Sequence, residues 1–81
     1  MYPLLTITAI DKILPQARKL GVSQRARSEG QFLSQYRKYG EKLPLYWKVK
    51  RDGFIKRHLA QYKINPTLRR RLALNVWAYE P

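Results

Sequence analysis

Sixteen lysines and arginines fall between residues 18 and 71 against only Glu29, Glu41 and Asp52, so the middle of this 81-residue chain carries a net charge of +13. Any fold must keep those cations outside and still find enough apolar surface to bury. A chain this short buries only about 60–65% of the surface it exposes when unfolded, which allows one modest core and no second domain. The ends are nearly neutral: residues 1–17 hold Asp11 and Lys12, residues 72–81 only Glu80, and the whole chain carries +12 with its one histidine neutral. Hydrophobic residues make up 44% of the chain and aromatics 12%. That is too rich for a disordered basic tail, so the chain is expected to fold, at least when bound.

Apolar spacing predicts helices and no sheet. Met1 to Ile7 is apolar and contains Pro3, which reads as an extended arm, residues 1–7, packed on the body or on a partner. Thr8-Ala9-Ile10-Asp11 matches a capping box, so a first helix is expected to start there, with Ile10, Ile13, Leu14 and Ala17 at helical spacing and Gly21 as its left-handed end. Pro15 predicts a kink or a break in it. Val22 to Arg27 reads as a polar connection. Ser28 and Gln31 form another capping pattern for a second helix, Glu29 to Tyr39, that buries Phe32, Leu33 and Tyr36 and ends at Gly40.

Pro44 suits a first helical turn and predicts the longest helix, reaching to about Lys63. On it Trp47, Phe54, Ile55, His58, Leu59 and Tyr62 share one arc, while Lys50, Lys56, Arg57 and Lys63 lie opposite with Val49, Gly53 and Ala60 among them. Asn65-Pro66 supplies a cap and a first-turn proline for a last helix running to Tyr79, with Leu68, Leu72, Val76 and Tyr79 inside. Leu74 and Trp77 then have no obvious place in a monomer of this size, and they are expected either in the core or at an interface, as a homodimer or against another protein. The expected architecture is all-α: a single domain over residues 1–81 of about four helices, the third longest and amphipathic, with residues 28–81 as the basic helical core region.

Enzymatic chemistry is poorly supported. The chain has no cysteine, which excludes a disulfide, a thiolate nucleophile, a zinc finger and iron–sulfur ligation. Its five acids stand at 11, 29, 41, 52 and 80 without pairing, and no glycine-rich phosphate loop occurs. His58 sits among apolar positions and reads as a core or interface histidine. A non-enzymatic protein with no cofactor and no metal is expected. Lys48-Val49-Lys50-Arg51, Lys56-Arg57 and Arg69-Arg70-Arg71 are the dense cationic clusters, and Lys48, Lys50, Lys56, Arg57, Lys63, Arg69, Arg70 and Arg71 are the candidate phosphate contacts. Tyr39 and Tyr46, set among Arg37, Lys38, Lys42 and Lys48, are weaker candidates for stacking bases. Helices two and three, about four residues apart, have a spacing compatible with a helix-turn-helix.

From Ser28 the pattern grows specific: Gly30-Gln31-Phe32-Leu33, Tyr36, Gly40, Trp47, Lys50-Arg51, Phe54-Ile55, Arg57-His58 and Ala60-Gln61, then Arg70-Arg71-Leu72-Ala73-Leu74, Trp77-Ala78-Tyr79 and Pro81. It resembles a group of uncharacterised short basic domains of tailed phages and large DNA viruses with a similar arginine, LAL and WAY-P signature at the C-terminal end. The likeness covers about two-thirds of the chain and departs from the pattern at Leu43-Pro44, where a serine cap is usual, and at Asn75, where an apolar residue is typical. It implies a viral setting and no catalytic residue.

Two functions follow as expectations. The first is a small basic nucleic-acid-binding protein, duplex DNA favoured, contacting phosphates with little sequence selectivity. The second is a virion structural component or a small viral effector that binds an acidic host protein, supported by the apolar arm and the greasy last helix. No stretch approaches the roughly 20 apolar residues of a membrane span, and the first ten residues lack a secretory pattern. A soluble protein of the host cytoplasm or the virion, with no membrane partner, is expected.

Overall fold

A computed structural model describes residues 2–81. Among them every regular element is helical: α1 (Ile7–Leu20), the single turn α2 (Gln24–Arg27), α3 (Phe32–Tyr39), α4 (Leu45–Ile64) and α5 (Leu68–Val76), with a 3-10 turn over Gly40–Lys42. The all-α class holds, and α4, at 20 residues, is the longest helix.

Several helix ends lie away from their expected positions, each for a local reason. α1 is capped by Thr6, whose hydroxyl accepts from the Ala9 N–H at 3.2 Å, and not by Thr8. Starting two residues earlier adds Ile7 to the face that buries Ile10, Leu14 and Ala17. It also frees Asp11 to pair with Arg37 of α3 in place of closing a capping box. α1 runs unbroken through Pro15. The proline is exposed, and Leu14 and Ala17 beside it are seated in the core. Gly21 ends α1 at φ 66°, its N–H bonding Arg18 O at 3.1 Å and the Val22 N–H bonding Ala17 O at 2.9 Å. These two bonds make a Schellman motif, closed by Ala17 and Val22 in the core.

The expected polar connection over Val22 to Arg27 contains α2, which buries Ala26. Ser28 bonds back to Gln24 O at 2.8 Å, so it closes α2 and does not open α3. Gly30, at φ 77°, turns the chain and α3 begins at Phe32. At the far end Thr67, not Asn65, caps α5 by accepting from the Arg70 N–H at 3.2 Å. α5 stops at Val76 rather than Tyr79, because Ala78 takes φ 61° with its N–H on Asn75 O. Leu68, expected on the inner stripe, is exposed as the first residue of α5.

α5 packs against both α1 and α4, with α3 against α4 and α2 against α3. A column of rings crosses the core. His58 stacks on Phe54 (3.9 Å between centroids), Phe54 on Trp77 (4.6 Å), Trp77 on Phe32 (4.7 Å) and Phe32 on Tyr36 (6.0 Å). Leu74 is 0% exposed and Trp77 7%, so both belong to the core of one chain and are not a surface offered to a partner. Trp77 finds room because the helix ends before it and turns its ring into the column.

The apolar arm is folded onto the body, and Arg51 holds it there. Only 2% exposed, the Arg51 guanidinium donates to Trp77 O (2.8 Å), Tyr2 O (2.9 Å), Pro3 O (2.7 Å) and Ala78 O (2.7 Å). The Leu5 N–H also bonds Ala78 O at 2.7 Å, and Tyr36 donates to Leu5 O at 2.8 Å. One side chain thus joins residues 2 and 3 to residues 77 and 78. Arg51 is a core residue and not part of a surface cluster with Lys48 and Lys50. Burial holds its pKa below the ordinary arginine value, offset in part by Asp52, and it stays charged. The arm expected over residues 1–7 begins at Met1, which lies outside the described residues.

Candidate nucleic-acid interface

Carboxylates neutralise little of the charge. Among the described residues three of the 17 cations meet one: Arg37 pairs with Asp11, Arg51 with Asp52 and Arg71 with Glu80, which leaves 14 with no acidic partner. The Arg37 hydrogen bond holds the Asp11 carboxyl below its usual range.

The arginine run near the start of α5 is engaged internally. Arg69 donates to Leu20 O at 2.6 Å, closing the carbonyl end of α1, and Arg70 donates to Asn65 O at 3.0 Å just beyond α4. Cations at these two helix ends also complement the helix dipoles. Arg71 bonds Glu80 Oε1 at 2.9 Å through Nε. Asn75, polar where the resemblance has an apolar residue, donates to Glu80 Oε2 at 2.7 Å and to Tyr79 O at 3.0 Å, tying down the chain end. Each of the three arginines keeps donors beyond these bonds; Arg69 and Arg71 are exposed and Arg70 is half-buried.

Four of the eight candidates share one surface. Lys50, Lys56, Arg57 and Lys63 are all exposed on the side of α4 turned away from α5, whereas Lys48 is half-buried beside Glu41, Leu43 and Asp52. With about 100° per residue, Lys50 and Arg57 fall on one edge of this face and Lys56 and Lys63 on the other, about 120° apart. Between the rows lie Tyr46, Val49, Gly53, Ala60 and Ile64, with Leu45 at the start of the helix. The ends are the most exposed apolar positions of the chain: Leu45 is 75% accessible and Ile64 85%. Lys50 lies 5.5 Å from the Tyr46 ring centroid and 5.4 Å from that of Trp47, so one edge of the face carries a cation over aromatic rings. The Arg57 guanidinium lies over Gly53, 3.5 Å from where a Cβ would stand.

His58 is half-buried on the inner side of α4, stacked on Phe54. Burial first, and then the neighbouring Arg57, holds its pKa below the usual histidine value, so the ring is neutral at pH 7. Among the described residues no three or more His, Asp or Glu side chains gather as a metal site, and no helix is long and apolar enough to cross a membrane.

A second cationic concavity was not legible in the sequence. Arg18, Arg27, Arg37 and Lys38 line a cleft of about 520 Å³ between α1 and α3, together with Glu29. Its members come from three helices, and no local spacing announces them. Comparison of the chain with protein families, with curated protein sequences and with solved structures found no match.

Proposed function

We propose that this protein binds nucleic acid, duplex DNA above all, by contacting phosphates with little sequence selectivity. The observation that carries this reading is the cationic double row on α4, set in a molecule where, among the described residues, 14 of the 17 cations have no acidic partner. Such a surface attracts a polyanion over long range and releases condensed counterions on contact. Arg69, Arg70 and Arg71 add donors beyond the α4 face. A tailed phage or large DNA virus as the setting is what the C-terminal signature implies.

The competing reading, a structural or effector protein docking on an acidic partner, drew on the apolar arm and on Leu74 and Trp77. Arg51 anchors the arm, and the two side chains lie in the core. Nucleic acid is therefore the better supported partner. The test is a salt titration of binding to duplex DNA, single strands and RNA. With about five to seven phosphates engaged, log affinity against log salt should fall with a slope of roughly −4.5 to −6 on the duplex. A slope near zero, or no binding at low salt, overturns the reading in favour of a protein partner.

A further inference from the structure

We infer that α4 lies along the major groove of duplex DNA with its outer face inward, a placement that rests on the nucleic-acid reading above. A helix with its side chains is about 10–12 Å across, and the major groove is about 12 Å wide with phosphates along both walls and base edges on its floor. The outer face of α4 has the same cross-section. One row, Lys50 and Arg57, faces one wall; the other, Lys56 and Lys63, faces the opposite wall; only uncharged residues stand between them.

The profile along the helix decides between a duplex and a flat anionic surface. α4 is about 30 Å long, and a straight helix meets a convex duplex most closely at its middle while its ends rise away. The side chains between the rows follow that shape: large near the ends (Tyr46, Ile64), intermediate at Val49, and small at Gly53 and Ala60, with exposed Leu45 at the start of the helix. A helix lying on a bilayer carries one continuous apolar face of large side chains, and this face is interrupted by the hollow at Gly53 and Ala60. The fold does not require the hollow. Gly53 lacks a positive φ, and an added Cβ would meet only the far end of the flexible Arg57 side chain, at an ordinary 3.5 Å; on the duplex that guanidinium swings from over Gly53 to the groove wall. A mid-helix glycine that packing does not demand leaves room for a partner to come close to the backbone.

The test compares one duplex sequence with and without bulky glucosyl groups on its cytosine 5-positions, which fill the major groove and leave phosphates and the minor groove unchanged. The bulky duplex should bind at least about tenfold more weakly, the scale of one lost base-edge contact. A minor-groove ligand such as netropsin should not displace the protein. Gly53→Leu fills the hollow without altering charge; it should melt no lower than wild type and lose affinity for the plain duplex, but not for heparin. Equal binding to both duplexes, or displacement by netropsin, overturns the groove placement while a steep salt slope keeps the phosphate reading intact. Tighter binding of Gly53→Leu than of wild type to phosphatidylserine vesicles, with no binding to either duplex, overturns both and assigns the face to a membrane surface.

Discussion

Arg51 shows how one residue can be read correctly for its chemistry and wrongly for its place. It stands in a run of cations, yet four of its five donors are turned inward onto four backbone carbonyls of two segments far away in sequence. Those carbonyls cannot be replaced by mutation, so removing the guanidinium strands them. Arg51→Met should lower stability by about 3 kcal/mol or more in urea denaturation, a large share of what a domain this size has. Arg51→Lys should do no better, because one ammonium with three donors cannot span both chain ends and is still buried. A loss below about 1 kcal/mol in both variants would mean that water replaces the guanidinium and that Arg51 is no clamp.

At the scale of elements, local chemistry was legible and long-range competition was not. Gly21, Gly40 and Pro44 mark helix limits because each acts through its own backbone, and all three mark the limits found. Thr6 against Thr8 and Asn65 against Thr67 are choices between two good caps a few residues apart, and tertiary packing makes them. The inner and outer arcs of α4 could likewise be read from spacing, except at Arg51, whose partners are 26 to 49 residues away. The aromatic column joins α3, α4 and the turn after α5, which no single stretch of sequence displays. It yields a ranked expectation: Phe32, fully buried at the middle of the column, should cost about 3–5 kcal/mol on Phe32→Ala, and half-buried Phe54 less on Phe54→Ala. Chemical denaturation of the two variants checks the order, and the reverse order would place the packing centre nearer His58.

For the whole molecule, the charge that serves binding opposes folding. Among the described residues fourteen cations without acidic partners lie on a body whose radius of gyration is 11.7 Å, so many repel one another across distances comparable to the molecule itself. In about 10 mM salt the Debye length is about 30 Å and this repulsion is felt across the whole domain; in about 100 mM it falls to about 10 Å and most of it is screened. The three ion pairs weaken under the same change, but they are few, and the Asp11 and Glu80 pairs are exposed and contribute little. The melting temperature of the free protein should therefore rise with chloride over this range, by about 4–8 °C if screening recovers about 1 kcal/mol at this size. Duplex binding should weaken over the same range, since added salt opposes counterion release. Opposite responses to one variable separate these two consequences of a single charge distribution. A melting temperature that stays flat or falls would mean that the cations do not strain the fold, leaving their excess to be explained by binding alone.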